Sequence, residues 1–370
     1  MSTRPSPDDF SAGGRTPSAL LGRRLAYFSP TVIFVLFLLT LPLFLRADFV
    51  SLFTKIIIFA LLAMSLDLVF GYSGLWCFGQ AGLFGAAAYT VAILVTKVGI
   101  TSFWLVAPIA VGVAVITAAL FGVFGLRSKE IYFMLITFAF GQLIYIAVYT
   151  TSKYTGGSNG LTGIDFPDLG FTTNFTDKSY YYFVLVAVMI GAVLMHRIIK
   201  SPFGYSLMGI RDNETRAKAL GYNTWLRRFL AFLLSGFFAG VAGVLYVYQR
   251  HNIAPSDVGL DYSGLVIMML IVGGVGTLWG GVIGSAVILF LQYFVSLYTT
   301  QRWPFILGWL FIAAVFLAKD GIFPVATRLW KRVCRYPANG GGPAPPPKAG
   351  GETYQGVVRL WKRMSSDGQG

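Results

Sequence analysis

Long apolar runs separated by short polar segments occupy most of the chain. Many of these runs exceed the roughly 18 apolar residues that indicate a membrane-spanning helix. Because lipid offers no partners to free backbone groups, such runs must form helices that satisfy their own N–H and C=O groups. The pattern predicts an all-α integral membrane protein with about ten spans, at approximately 26–45, 49–70, 75–96, 103–126, 131–150, 180–198, 229–248, 263–279, 281–299 and 303–318.

The composition agrees with a membrane protein and argues against a soluble one. Apolar residues make up 56% of the 370 residues and charged residues only 12%. In a soluble protein the formal net charge of +14 would suggest a nucleic-acid partner. In a membrane protein the same charge is explained by Lys and Arg collecting in loops on one face. We therefore expect membrane lipid around this chain and no nucleic acid.

The charge of the connecting segments predicts the orientation. The largest positive excesses are in 200–228, with six basic and two acidic residues, and in 319–370, with nine basic and three acidic residues. The loops 151–179 and 249–262 each carry one net negative charge. Ten spans with both termini in the cytoplasm place every positive segment inside and both negative loops outside. A re-entrant hairpin at 263–299, in place of two spans, would preserve this parity.

Three regions follow from the spans and the composition. Residues 1–25 form a cytoplasmic N-terminal tail, residues 26–325 the membrane domain, and residues 326–370 a basic cytoplasmic tail rich in Pro and Gly. The stretch ANGGGPAPPPKAGG in that tail is expected to be disordered. The sequence RLWKR occurs at 328–332 and again at 359–363. Trp beside basic residues suits the inner membrane surface, although a chance match explains the repeat equally well.

The inside loop at 199–228 carries the signals of two short helices. Ser201 followed by Pro202 is typical of a helix start, since Pro is pre-organised for the first helical position. Asp212 or Asn213 can cap a second helix through a side-chain oxygen. Positive-inside bias alone does not require such caps, so the loop is expected to have a defined shape.

The second helix of this loop is predicted from Glu214 to Leu220, about two turns. Gly221 can end it in the left-handed conformation, which costs glycine little. Ala217 and Leu220 are expected on one face of the helix. The polar side chains that project elsewhere are Thr215, Arg216 and Lys218.

Two spans are rich in glycine, beginning at Gly71 (GYSGLWCFGQAGLFGAAAYTVAI) and at Gly273 (GGVGTLWGGVIGSAVILF). In the second, glycine recurs every four residues, which on a continuous helix would form a stripe for close packing. Alternatively, such segments are broken helices whose freed backbone groups line a translocation path. With five spans per half, span three matches span eight, so an internal five-helix repeat is possible. The stripe consists of Gly276, Gly280 and Gly284.

Few polar residues lie within the spans, and two of them are candidates for function. Asp67 lies about one turn from the inner end of the second predicted span. Because charge at membrane depth is costly, Asp67 is either solvated at the interface or takes part in a gate or packing contact. Gln80 lies early in the third span and could bond an exposed backbone group or a polar substrate.

No catalytic constellation is visible in the sequence. The P-loop pattern G-x-x-x-x-G-K-[ST] is absent, and Gly274-Val-Gly276 lies in an apolar span without the strand that a dinucleotide site needs. Cys77 lies in an apolar run and Cys334 in a basic tail, which argues against a disulfide, and the two cysteines with His196 and His251 give no metal-ligand spacing. We expect a protein that is not an enzyme, with no cofactor and no ATPase site of its own.

Five stretches in order resemble the permease subunits of high-affinity branched-chain amino acid ABC importers. The likeness covers about residues 30–325, and only the combination of motifs is specific. The stretches are LDLVFGYSGLWCFGQAGLFGAAAYTVAIL (66–94), TGGSNGLTGI (155–164), SPFGYSLMGIRDNETRAKALGYN (201–223), LAFLLSGFFAGVAGVLY (230–246) and IVGGVGTLWGGVIGSAV (271–287).

This resemblance implies a multi-pass protein of the bacterial inner membrane that works in a heteromeric importer. Its partners would be a second permease subunit, two cytoplasmic ATPases that bind ATP, and a periplasmic substrate-binding protein. Relatives also transport urea, short amides and aromatic acids. The form Leu-Asp-Leu around Asp67 is shared with urea-type relatives, and Cys77-Phe78-Gly79 departs from the usual Ser-Leu-Gly, so the substrate stays open.

The resemblance also implies roles for particular residues. In ABC permeases a short helix of the inside loop transmits force from the ATPase. The residues implied in that contact are Arg211, Glu214, Arg216, Ala217, Lys218 and Gly221. The residues assigned to the translocation path are Asp67, Gln80, Gly82, Gly85, Tyr89, Gly276, Gly280 and Gly284.

Two alternatives to an ABC permease are weighed against this interpretation. A secondary transporter driven by an ion gradient would need ionisable relay residues deep in the bundle, and these are nearly absent from the spans. A membrane-embedded enzyme would need a His, Asp or Ser cluster at one depth, and the sequence shows none.

Overall fold

The computed structural model describes residues 39–42, 46–128, 130–168, 176–298, 305–306, 308–309 and 321–322. Over these residues the chain is mostly helical, and seven helices are long and apolar enough to cross a membrane. The predicted helical membrane protein is thereby confirmed. The regions that lie wholly or mainly outside the described residues are both tails with the two RLWKR copies, the first predicted span at 26–45 and the tenth at 303–318.

Each of the other eight predicted spans contains a helix, and two short helices occupy the inside loop. A π-helical turn extends the first two helices, at Leu68–Tyr72 and Leu94–Val98. The helices are α1 (Ala47–Asp67), α2 (Gln80–Ile93), α3 (Phe103–Gly125), α4 (Glu130–Thr150), α5 (Ser152–Thr155), α6 (Asp177–Ile199), α7 (Pro202–Asp212), α8 (Glu214–Ala219), α9 (Thr224–Arg250), α10 (Leu260–Gly273) and α11 (Trp279–Tyr298).

The core of the bundle is built around α1, α2 and α9. The second half of α1 is completely buried, and α9 packs against α1, α2 and α3. Small residues allow this close packing: a Cβ added at Gly240 of α9 would lie 2.8 Å from the Cβ of Ala114 in α3. Without a hydrophobic force between helices in lipid, such close approach supplies the dispersion contacts that hold the bundle together.

Two of the predicted spans are interrupted. The third is non-helical until α2 begins at Gln80. The helix of the eighth, α10, has only 14 residues, which rise about 21 Å and fall short of the roughly 30 Å hydrocarbon core. The chain then turns through 274–278 before α11 begins. Of the two alternatives for Gly276, Gly280 and Gly284, the structure shows the broken helix and not the continuous stripe, because the helix ends at Gly273 and resumes at Trp279.

The two loops that carry net negative charge meet each other. Leu161 pairs with Ile253 and Thr162 with Asn252, as the antiparallel strands β1 (Leu161–Thr162) and β2 (Asn252–Ile253). The Ile164 carbonyl also lies 2.7 Å from Nδ1 of His251. These contacts place the loops 151–179 and 249–262 on the same side of the bundle, in agreement with the predicted parity.

Candidate functional site: the inside loop and the broken spans

The inside loop folds into two capped helices. Ser201 is the N-cap residue of α7 and Pro202 its first residue. Asn213 caps α8, because its Oδ1 accepts a hydrogen bond of 2.9 Å from the N–H of Arg216. Gly221 follows α8 with φ +84°, the left-handed conformation predicted for it. The capping predictions are thus confirmed, with Asn213 rather than Asp212 as the N-cap.

Glu214 ties the second loop helix to the span that follows it. Its carboxylate accepts hydrogen bonds from Nζ of Lys218 at 2.7 Å and from Arg228 of α9 at 2.8 Å. Thr224 Oγ1 donates to it at 3.3 Å. The hydrogen bond from Lys218, together with the charge of Arg228, holds the pKa of the Glu214 carboxyl below its ordinary value. Glu214 therefore stabilises the fold of the loop, whatever else it contacts.

Two apolar residues, Ala217 within α8 and Leu220 just after it, differ sharply in exposure. Ala217 is 7% exposed and faces into the protein, whereas Leu220 lies just after the helix and is 72% exposed. The expectation that they share one face is therefore not met. The predicted contact residues Arg216 and Lys218 are exposed. Leu220 is the apolar side chain of this segment that a partner could bury, and the sequence assignment did not include it.

Arg211, at the end of α7, turns back toward the membrane domain. Its guanidinium donates a hydrogen bond to the carbonyl of Gly71, just after α1. A Cβ added at Gly74 would lie 3.0 Å from its Cγ, and one added at Gly276 would lie 3.4 Å from its Nη1. From the inside loop, Arg211 thus contacts the segment that joins α1 to α2 and lies close to the turn of the eighth span.

Asp67, the last residue of α1, joins the second span to the interrupted eighth span. Its side chain is completely buried, and its oxygens accept hydrogen bonds from the N–H groups of Gly276 at 2.7 Å and Leu278 at 2.9 Å. The interpretation of Asp67 as an interfacially solvated residue is therefore wrong. The break in the helix frees backbone N–H groups, and a carboxylate is a strong acceptor for them in a buried site.

The turn that Asp67 holds has an unusual backbone. Gly276 has φ +75° and Leu278, which is not a glycine, has φ +50°. There is no room for a side chain opposite: a Cβ at Gly71 would lie 2.6 Å from the nitrogen of Gly276. A side chain at Gly71, or the loss of the Asp67 carboxylate, would therefore force this turn apart.

Gln80 lies in a second buried network. Its Nε2 donates to Oγ of Ser65 at 2.7 Å and to Oγ of Ser235 at 3.1 Å. Both hydroxyls donate onward to backbone carbonyls, Ser65 to Leu62 and Ser235 to Ser65. The amide therefore bonds hydroxyls on α1 and α9 rather than an exposed backbone group. Its Oε1 is buried and has no hydrogen-bond partner among the described residues.

The helices of the two interrupted spans begin next to each other. The N–H of Ala81, in the first turn of α2, donates to Oγ of Ser263, in the first turn of α10, at 3.2 Å. Helix starts carry partial positive charge and free N–H groups. Broken helices whose N-terminal ends meet inside a bundle are a feature of transporter binding sites.

The other residues assigned to the translocation path have different neighbours and do not form one site. A Cβ at Gly82 would lie 3.3 Å from Cα of Gly141, and those at Gly280 and Gly284 would lie 3.0 Å from the backbone of Gly273. Gly85 packs on Val258. Tyr89 is buried, and no hydrogen-bond partner of its hydroxyl is found in the described part of the chain. Close packing is thus the observed role of these glycines.

The sequence assignment missed an ion pair at the opposite end of α9, between the half-exposed Arg250 and the buried Asp257. Asp257 is 1% exposed; it accepts from Arg250 at 2.7 Å and from the N–H of Ala254 at 3.0 Å. Tyr246 donates its hydroxyl to the same carboxylate at 3.3 Å. Within the described residues, no cluster of three or more His, Cys, Asp or Glu could hold a metal ion.

These features define a class of protein: a multi-pass helical membrane protein with two interrupted spans that an inside loop contacts. The family comparison agrees, since residues 49–317 match the model described as "Branched-chain amino acid transport system / permease component". The chain belongs to this family.

Individual relatives are similar over different shares of the chain. The high-affinity branched-chain amino acid transport system permease protein of Salmonella typhimurium is 26% identical over 77% of this chain and 72% of its own length. The protein of the same name from Escherichia coli is 27% identical over the same shares. An autoinducer 2 import system permease protein of an Enterobacter strain is 28% identical over 43% of this chain and 48% of its own length. The comparison with solved structures gave no significant match.

Proposed function

We propose that the chain is a transmembrane permease subunit of an ATP-binding-cassette importer in the bacterial inner membrane. Two separate cytoplasmic ATPases would drive it, a second permease subunit would complete the pathway, and a periplasmic protein would deliver the substrate. In this proposal ATP binds to the partner subunits, and the chain has no enzymatic activity and no cofactor of its own. Family membership and the names of the relatives support it.

One contact carries the proposal, the hydrogen bond from Arg211 of the inside loop to the carbonyl of Gly71. Gly71 in turn lies against Gly276, which Asp67 holds. A movement of α7 and α8 by an ATPase would therefore pull on the segment between α1 and α2 and, through it, on the turn of the eighth span. A permease without an ATPase site needs such a path for the force. The exposed residues Arg216, Lys218 and Leu220 would face the ATPase.

Branched-chain amino acids are the proposed substrates, with related small polar solutes included. The names of the relatives support this choice, and the autoinducer 2 permeases show that the likeness extends to importers of other small molecules. A urea, short-amide or aromatic-acid permease is the runner-up. The buried network at Gln80, with its unpartnered Oε1, is the proposed place where a polar substrate is bonded on its way.

The proposal includes ten spans with both termini in the cytoplasm and an internal repeat of five helices. The pairing of the two negative loops supports the parity of the spans. Spans three and eight are both only partly helical, although the non-helical part precedes α2 in the third span and follows α10 in the eighth. The proposed boundaries are a tail at 1–25, a membrane domain at 26–325 with the coupling loop 199–228, and a tail at 326–370.

The test uses the complete transporter in proteoliposomes, with its binding protein and ATP. Arg211→Gln removes a charged hydrogen bond, a contact of about 1.5–3 kcal/mol. We expect uptake to fall about tenfold, the change that 1.4 kcal/mol produces, while ATP hydrolysis continues. Arg197→Gln, at an exposed position of α6, is the matched control. Arg211→Lys should restore part of the uptake.

Two results would contradict the proposal. Normal uptake per ATP hydrolysed in Arg211→Gln would exclude the force path through Gly71. Loss of wild-type uptake on adding a protonophore, at constant ATP, would instead indicate the second alternative, an ion-coupled secondary transporter.

A further inference from the structure

A groove of about 1070 Å³ lies beside the inside loop and away from the interrupted spans. One wall is the turn between α3 and α4 with the first turn of α4, and the other is α8 with the start of α9. None of the residues assigned to the translocation path lines it, whereas Glu214 and Lys218, assigned to the ATPase contact, lie along its edge on α8. Because α4 and α9 both enter the membrane domain here, the groove lies at the boundary between the bundle and the inside loop.

The charged side chains of the groove favour an anion. Arg127, Lys218 and Arg228 line it together with one carboxylate, Glu214. Glu214 is already shared by Lys218 and Arg228. The formal charges of Lys129 and Glu130, which follow in the sequence, cancel. Three cations against one carboxylate leave an excess of positive charge, so the groove complements a negatively charged group.

The apolar side chains of the groove favour a molecule that also extends into lipid. Ile131 and Tyr132, in the first turn of α4, are 73% and 60% exposed. Trp225, in the first turn of α9, stacks on Phe229 with 5.1 Å between ring centroids and 7° between the planes. Aromatic rings at span ends sit at the level of lipid headgroups. A soluble anion would leave this apolar wall uncovered.

We propose that this groove binds an anionic phospholipid of the inner leaflet, with the phosphate on the basic wall and the acyl chains along Ile131 and Tyr132. Basic pockets between spans on the cytoplasmic side are suited to such headgroups. The inference goes beyond the transport function and depends only on the inside loop facing the cytoplasm. A bound lipid would contact α8 and so affect the position of the proposed coupling helix.

The test is native mass spectrometry of the purified complete transporter titrated with phosphatidylglycerol or with phosphatidylcholine of the same chain length. We expect the wild type to prefer phosphatidylglycerol. Arg127→Gln should reduce this preference about fivefold, the effect of one cation near a lipid surface. Arg127→Lys should retain the preference because it keeps the charge. Lys200→Gln, which removes one exposed charge near the same loop but outside the groove, should leave it unchanged.

Three outcomes would overturn the proposal. Arg127→Gln and Lys200→Gln could reduce the preference equally, which would indicate general charge attraction. Arg127→Gln could leave the preference intact, which would exclude the site. It could also leave lipid binding intact and reduce recovery of the ATPase subunits, which would make the groove a protein interface. None of these measurements involves uptake, so failure of the lipid proposal would leave the transport proposal unaffected.

Discussion

At the scale of single residues, the completely buried carboxylate of Asp67 stands out. Its partners are backbone N–H groups at Gly276 and Leu278, more than 200 positions along the chain. A buried group with its hydrogen bonds satisfied is stabilising, and the same group with one bond lost is costly. The residue holds the end of α1 against the turn at which the eighth span is interrupted.

Asp67→Asn should weaken this junction. The amide oxygen can still accept from one N–H, but its NH₂ group would face the other N–H donor, so one buried bond is lost at a cost of about 1–3 kcal/mol. We expect a lower midpoint in thermal unfolding of the detergent-purified protein and reduced uptake. Asp48→Asn, at an exposed position of the same helix, is the control. Equal midpoints for the two variants would show that the junction does not depend on the carboxylate.

At the scale of elements, the loop helix α8 depends on its two ends. Six residues are too few to be helical alone, because helix nucleation is costly. The Asn213 cap, the Glu214 carboxylate and the left-handed Gly221 supply the missing stability. A short element with such ends can remain folded while it protrudes from the membrane domain.

Gly221→Ala should loosen this helix. A left-handed conformation costs a residue with a Cβ about 1–2 kcal/mol, so the open form should be populated about tenfold more. We expect trypsin to cleave after Arg216 and Lys218 faster by that factor in the full-length detergent-purified protein. Gly209→Ala is the matched control, because Gly209 lies inside α7 with open space around its Cα and should tolerate a methyl group.

Only Gly221→Ala should be cleaved faster than the wild type. If both Gly221→Ala and Gly209→Ala were cleaved at the wild-type rate, the stability of α8 would not depend on the left-handed glycine at its end.

At the scale of the whole molecule, charge and strand pairing lead to the same sidedness. The loops 151–179 and 249–262 meet through β1 and β2. The inside loop instead contacts the start of the third span through Arg211. Spans that cross the membrane alternately in and out should bring one set of loops together on one side and another set on the other, as these contacts do.

Cysteine labelling tests this orientation. In a Cys334→Ser background, Ser158→Cys should react with a membrane-impermeant maleimide added outside, and Thr215→Cys should react only after the membrane is opened, because both positions are exposed but lie in opposite loops. The buried Cys77 provides the unreactive baseline. The reverse pattern would invert the predicted topology.

What the sequence by itself determined are features that depend on neighbours in the chain. The apolar runs predict the eight described spans, and the caps at Ser201, Asn213 and Gly221 predict both loop helices. Each of these features depends on local contacts within a few residues, or on the length of helix needed to cross lipid. Such information is present in any short window of the sequence.

Only the tertiary structure decided where the spans break and what the polar residues do. A stripe of glycines is compatible with a continuous helix, and Asp67 near a span end is compatible with solvation. Whether Asp67 is solvated or buried depends on whether a distant segment with free N–H groups packs against it. The turn at 274–278 does so. Likewise Ala217 is buried and Leu220 exposed because of what packs against the loop. These contacts join residues far apart in the chain, and no local pattern records them.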